Sequence, residues 1–372
     1  MFRRFVAILI AATLILSAAP VPVAATAQAD QCTFPTTFTD ATGSEITITE
    51  DPERIVTTNP SAAQTMWEIG AREEVVGVSQ YAMYLDGASE KTNVSGSGGV
   101  NVEAVIGLEP DLVLVPNTTY IAEPDKVRQL RDAGLTVAVF ESGDSLTGVA
   151  DKVERVGAIT GNCEAGAERA DEMRTSIENM ERALDGVERP VGLNSFFGYT
   201  SGSGTFISDV MTHAGLRNGA AEAGINDWGQ INDELVVTMD PEYIVIPSHA
   251  PVPSGPAYNS TTAIQEGNVI VVDANNLQQP APRAIDASET ILEAVHPDAY
   301  ERYQQLQNES ATAETTSDAT TEDETMTDEQ TTEPTDSTTE APQTTSESES
   351  PGFGPVVALV ALAAVAFVAR RR

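Results

Sequence analysis

Four aromatic side chains, Tyr81, Tyr84, Tyr199 and Trp228, sit in stretches rich in Gly, Ser, Asn and Gln rather than inside apolar runs. Asn59, Ser61, Gly98, Gln230 and Arg283 share that loop-like setting. As a set they offer flat apolar faces, neutral hydrogen-bonding groups and close backbone approach, which is the chemistry of recognition. Patterns for turnover are missing. Ser203 is outside a Gly-x-Ser-x-Gly elbow, no His-Glu-x-x-His run occurs, and the Gly/Ser-rich turn Tyr199 to Gly204 lacks the Lys and spacing of a P-loop. His213, His249 and His296 have no metal-ligand spacing. An enzyme and a structural surface protein stay open as other classes, and saturable small-ligand affinity without turnover separates the binding class from both. Each of the four aromatics also suits a lobe core.

The elements that would position these residues are legible from periodicity. From Ala165 to Leu184 the apolar residues Ala170, Met173, Ile177, Met180 and Leu184 recur at steps of three and four, which predicts a long amphipathic helix. A second helical pattern over Leu146, Val149, Val153 and Val156 precedes it, with a break at Gly161-Asn162-Cys163. Two similar stretches flank this middle, Glu103 to Pro116 and Glu234 to Pro247. In each, a Glu opens a short helix, an acid-Pro-acid turn stops it, and an aliphatic run follows as a buried parallel strand. The expected fold is α/β: two lobes joined by a single long helix, with the ligand cleft between the lobes. A hairpin is expected over Phe34 to Thr49. The strands at Arg54 and Val191 each run through a polar loop into a helix N-terminus, the place where open α/β sheets hold ligands.

The ends differ from the middle. Residues 1–29 read as a signal peptide, with Arg3 and Arg4, an apolar run and an Ala27-Gln28-Ala29 site. Residues 30–145 form the first lobe, 146–188 the connecting helices and 189–303 the second lobe. Residues 304–350, dense in Thr, Glu and Ser, read as an extended stalk that cannot bury a core. Residues 351–372 carry Pro351-Gly352-Phe353, a short apolar run and three terminal arginines. That arrangement resembles the PGF-type sorting signal of archaeal surface proteins, which implies anchoring at the extracellular face of the membrane. In that oxidising compartment Cys32 and Cys163, the two cysteines of the chain, are expected to be bonded.

With 56 acidic against 20 basic residues the formal charge is −36. A phosphate backbone would be repelled over most of such a surface, so nucleic acid is excluded as a partner. An acidic, Lys-poor surface resembles that of halophilic archaeal proteins, where molar salt screens self-repulsion.

Arg54-Ile55-Val56 with Asn59-Pro60-Ser61, Val75 to Val78 with Tyr81, Asn101-Val102-Glu103 with Glu109 to Leu114, Gly204 to Ile207, Glu234 with Asp240-Pro241-Glu242, and Pro282-Arg283 occur in an order and spacing that resemble the solute-binding proteins of ABC importers for cobalamin and ferric siderophores. The match spans roughly residues 34–300. It implies two lobes on a rigid helix, a monomer that binds a metal chelate, no cofactor of its own, and an ABC permease with its ATPase subunits as partners. It also implies that Glu103 and Glu234, one per lobe, dock on the permease. Taken alone, both are also acids that a helix start favours. The neutral aromatic walls suit a large, flat, nearly neutral chelate, so a corrinoid is the expected ligand and a ferric siderophore or haem the alternative.

Overall fold

The Val- and Leu-rich runs become the centres of two parallel sheets. The computed structural model describes residues 32–96, 98–141 and 143–323. The signal-peptide reading, and the segments 324–350 and 351–372, lie outside the described residues. In the first lobe the strands run in the order Thr92–Asn93, Val75–Val78, Ile55–Thr57, Leu112–Pro116, Val137–Phe140, all parallel. Leu112–Pro116 is buried along its whole length, which is why it reads as a continuous apolar run instead of an alternation. In the second lobe the order is Arg217–Asn218, Val191–Asn194, Tyr243–Pro247, Val269–Val272, again parallel. The expected hairpin forms from Thr36–Thr39 and Glu45–Ile48, in the register Thr36 opposite Ile48.

Side-chain alternation divides each sheet between two cores. Val56, Val113, Val115, Val137 and Val139 face an apolar cluster of the first lobe alone. Their neighbours Ile55, Leu112, Leu114, Ala138 and Phe140 face a second cluster, and Val245, Ile270 and Val272 of the other lobe join that same cluster. Between them it takes in Val149, Val153, Met173 and Met180 of the connecting helices. One continuous apolar core therefore ties both lobes to the helical middle.

That middle is a helical hairpin rather than one helix. Leu146–Ile159 starts on Ser145, whose Oγ accepts from Gly148 N at 3.0 Å, and Cys163–Ala183 folds back on it after Gly161 at φ 77°. A Cβ on Gly157 would stand 2.6 Å from Gly166 Cα, so only glycines allow the two backbones to approach this closely. Arg174 then reaches across the pair to Asp151 at 2.8 Å and Glu154 at 2.6 Å. Cys32 and Cys163 are joined by a disulfide with Cα atoms 5.5 Å apart, which pins the start of the described chain to the start of the second helix.

The extended stalk expected from residue 304 needs correction. A helix spans Pro297–Asp323. It packs back on the connecting helix: Tyr303 is buried, Gln307 Nε2 donates to Ser176 Oγ at 2.8 Å, Asn179 Nδ2 donates to Gln307 Oε1 at 2.6 Å, and Arg302 Nη2 donates to Ala183 O at 2.9 Å. Composition alone hides such docking, because the helix is held largely by hydrogen bonds and few large apolar groups. Among the described residues no helix is long and apolar enough to cross a membrane.

Candidate ligand-binding cleft

Both lobes aim a helix N-terminus at the same space. In the first, Ile55–Thr57 leads to Asn59, whose Oδ1 accepts from Ala62 N at 3.0 Å and from Ser61 Oγ at 3.1 Å and so starts Pro60–Glu68. In the second, Tyr199–Ser201 leads through Gly202 to Gly204 into Thr205, the cap of Phe206–His213. A cleft of about 620 Å³ opens between them, within the size range of small-molecule sites.

Its second-lobe wall is a two-stranded ribbon. Tyr199–Ser201 pairs antiparallel with Trp228–Gln230, and Phe197-Gly198 makes the tight turn before it. Phe196, Tyr199 and Trp228 present rings to the cleft, with Phe196 and Trp228 edge to face at 6.5 Å. The Gly/Ser-rich loop is not a phosphate cradle. Its amides are already engaged, Gly202 N with Asp227 O at 2.7 Å and Ser203 N with Ile225 O at 3.0 Å, and Gly202 is needed because a Cβ there would lie 2.1 Å from Ile225 O.

The remaining lining comes from Pro116, Thr118, Asp144, Gln278, Gln279 and Pro280, among others. Asp144 and Asp227 are the charged side chains of the lining, and among the described lining residues there is no Lys or Arg. Behind the wall Lys152, half-buried, donates to Pro280 O, and desolvation pushes its pKa down to about 8.

Of the residues singled out from the sequence, Asn59, Ser61, Tyr199 and Trp228 line the cleft together. Gln230 stands beside it and donates from Nε2 to Tyr199 Oη at 3.1 Å, so it positions that ring. Tyr81 is 69% exposed on the turn Gln80–Ala82 and is outside the lining. Gly98 is exposed, and its carbonyl accepts from Lys126 Nζ. Tyr84 and Arg283 belong to a seam between the lobes instead. Buried Gln64 donates to Tyr84 Oη at 2.8 Å and accepts from Arg283 N at 3.0 Å, while the Arg283 guanidinium turns to Glu68. Burial raises the Tyr84 pKa, and the Gln64 hydrogen bond only partly offsets that. Sequence reading missed Phe196, Phe206, Ile207, Asp144, Asp227, Gln278 and Gln279. The rule that ligands sit beyond the carboxyl ends of parallel strands points to Phe196, which follows Val191–Asn194.

Glu103 and Glu234 are exposed and far from this chemistry. They occupy equivalent places, one residue inside Val102–Gly107 and Asp233–Met239, each helix capped by an Asn whose Oδ1 accepts the third amide: Asn101 from Ala104 N at 3.1 Å, Asn232 from Leu235 N at 2.8 Å.

Residues 55–276 match the family described as periplasmic binding protein, and residues 350–372 match the PGF-CTERM motif. A cobalamin-binding protein of Halobacterium salinarum is 40% identical over 314 residues, covering 79% of this chain and 84% of the relative. The vitamin B12-binding protein of Vibrio cholerae is 26% identical, covering 64% of this chain and 87% of the relative. Among solved structures, the periplasmic vitamin B12-binding protein of Vibrio cholerae superposes with a TM-score of 0.58 at 24% identity, over 67% of this chain and 98% of that one. The periplasmic haem-binding protein of Roseiflexus superposes with a TM-score of 0.60 at 24% identity, over 66% and 99%. The chain belongs to the periplasmic binding protein family. It is a solute-binding protein and not an enzyme, and its PGF-CTERM motif marks a surface anchor at the C-terminal end.

Proposed function

We propose that the protein captures a corrinoid, cobalamin in the first instance, between its lobes at the extracellular face of the membrane. It then hands the ligand to an ABC permease driven by ATPase subunits. The observation that carries this reading is the lining of the cleft: four aromatic residues, neutral amides and hydroxyls, and two carboxylates without a Lys or Arg. Anionic chelates such as haem, with its propionates, or a carboxylate siderophore would meet repulsion there. The amide-rich rim and flat face of a corrin meet complementary groups. Ferric siderophore or haem is the second reading. Titration of the purified protein at molar salt with cyanocobalamin, a hydroxamate siderophore and haem tests the choice. Cobalamin binding weaker than about 10 μM, roughly −7 kcal/mol, rejects the corrinoid.

Delivery would use Glu103 and Glu234 as paired contacts to the permease, with an N-terminal signal for export and a monomeric receptor. The matching Asn caps and equivalent helix positions support a partner with two related acceptor sites. Charge reversal at either Glu should abolish uptake while leaving ligand affinity within about threefold. Loss of ligand affinity would contradict the docking role.

A further inference from the structure

Four asparagines, Asn93, Asn117, Asn259 and Asn308, stand in Asn-x-Ser/Thr sequons. Asn59-Pro60-Ser61 has the right ends but is barred by the Pro between them. A chain with a surface anchor carries its sequons past the outer face of the membrane, where exported proteins are glycosylated. Transfer of a sugar requires the Asn amide and the hydroxyl two residues later to be reached together on a surface loop or turn. The folded setting therefore sorts the four.

Three are poorly placed. Asn117 is half-buried and lies between Pro116 and Thr118, both in the cleft lining, so a sugar there would fill ligand space. Asn259 is exposed at the end of Pro256–Asn259, but its partner Thr261 is 1% exposed. The Thr261 hydroxyl donates to Tyr258 O at 2.7 Å and accepts from Ile264 N at 3.4 Å, so it is sealed once the chain has folded. Asn308 lies inside the helix Pro297–Asp323, and its partner Ser310 accepts from Asn179 Nδ2 at 3.3 Å on the connecting hairpin.

Asn93 differs on each count. It ends Thr92–Asn93, the edge strand of the first-lobe sheet, which among the described residues pairs with Val75–Val78 alone. The side chain is exposed and outside the cleft lining. Its Oδ1 accepts from Ser95 N at 2.9 Å, which engages the oxygen and leaves Nδ2 without a partner among the described residues. A hydrogen bond to the amide oxygen draws charge from Nδ2 and eases loss of its proton. Ser95 Oγ accepts from Gln80 N at 2.9 Å, and its own proton is uncommitted among the described residues. Amide and hydroxyl are thus held in one turn at a sheet edge.

We propose that Asn93 is the preferred N-glycosylation site of the receptor. The donor class is an oligosaccharide joined through its first sugar to a lipid phosphate. Nδ2 attacks the anomeric carbon of that sugar and forms the new carbon–nitrogen bond. The bond from the same carbon to the phosphate oxygen breaks, the lipid phosphate leaves with the electron pair, and Nδ2 gives up one proton. Nothing is oxidised or reduced. A glycan there covers the open backbone edge of the strand and leaves the cleft clear, whatever ligand the cleft holds.

The test is peptide mapping by mass spectrometry of the full chain, purified from membranes of the cells that make it. Digestion after Glu90 and Glu103 separates Asn93 from Asn117. The peptide with Asn93 should carry a saccharide mass in most molecules, and each of the other three sequons in fewer. Asn93→Gln and Ser95→Ala should both lose that mass, while Ser95→Thr, which keeps the hydroxyl, should retain it. An unmodified Asn93 in the wild type, a higher occupancy at any other sequon, or a saccharide on the same peptide that survives Asn93→Gln overturns the assignment.

Discussion

Arg283 Nε lies 2.7 Å from Glu68 Oε1, joining the start of a second-lobe helix to the end of a first-lobe helix. The other oxygen of the same carboxylate is 3.4 Å from Arg169 Nη2 on the connecting hairpin. Glu68 is thus shared by all three parts of the molecule, with Gln64 one turn before it making the neutral bonds of the same seam.

Glu68→Ala should therefore act on the fold. Two guanidinium groups would lose a common partner in a partly buried place, at a cost of about 1–3 kcal/mol in unfolding free energy, read by chemical denaturation at constant molar salt. Arg283→Ala should shift the denaturation midpoint in the same direction and change cyanocobalamin affinity by less than about fivefold. A large loss of affinity at unchanged stability would return Arg283 to the cleft.

Tyr199 and Gln230 make a separable pair. Tyr199→Ala removes a ring from the cleft and should weaken cobalamin binding about tenfold. Gln230→Ala and Tyr199→Phe each break one hydrogen bond, so each should weaken it about threefold and the double variant no further. Additive losses by isothermal titration would show that Gln230 touches ligand itself.

Two groups give the stability a pH profile of opposite slopes. His213 is held mainly by its hydrogen bond to Asp209, with Glu181 facing it from the connecting helix, and its pKa is raised above 6.5. Its contribution is complete below about 6.5 and disappears as pH rises through the folded-state value. Lys152 is depressed by burial to about 8 from 10.5, so the unfolded chain binds more protons between those values and stability rises with pH across them. Denaturation midpoints from pH 6 to 10 should fall and then climb. His213→Gln should remove the fall and Lys152→Met the climb, and a profile unchanged by either substitution would reject the assignment.

The disulfide between Cys32 and Cys163 closes a loop across 131 positions. On the loop-entropy model it contributes about 4–5 kcal/mol, an upper figure where the unfolded chain is compact. Intact protein should weigh two daltons less than its reduced form, in keeping with loss of two hydrogens. Cys32→Ser with Cys163→Ser should unfold at distinctly lower denaturant, and two alkylatable thiols in freshly secreted protein would contradict the bond.

Local signals in the sequence carried most of the framework. The steps from Ala170 to Leu184 locate the long helix, the aliphatic runs at Leu112 and Tyr243 locate central strands, and the two Asn-x-Glu starts locate equivalent helices, because periodicity and capping act over a few residues. What the sequence does not show is where distant partners draw a side chain. Arg283 looks like a cleft cation until Glu68, 215 positions earlier, is seen to claim it. Tyr84 is drawn inward by Gln64 in the same way. Residues 304–323 read as stalk by composition, yet Gln307 finds Ser176 and Asn179 on a helix far earlier in the chain. Asp144 and Asp227 carry no local mark that would place them in the cleft lining.

The helix Pro297–Asp323 also settles where a tether can pull. Its first turns are fastened to the connecting hairpin through Arg302, Tyr303 and Gln307, after the chain has left the second lobe. A pull on its first turns therefore reaches the connecting hairpin first and not the walls of the cleft. A grip that lies outside the load path keeps its shape when its spine is pulled.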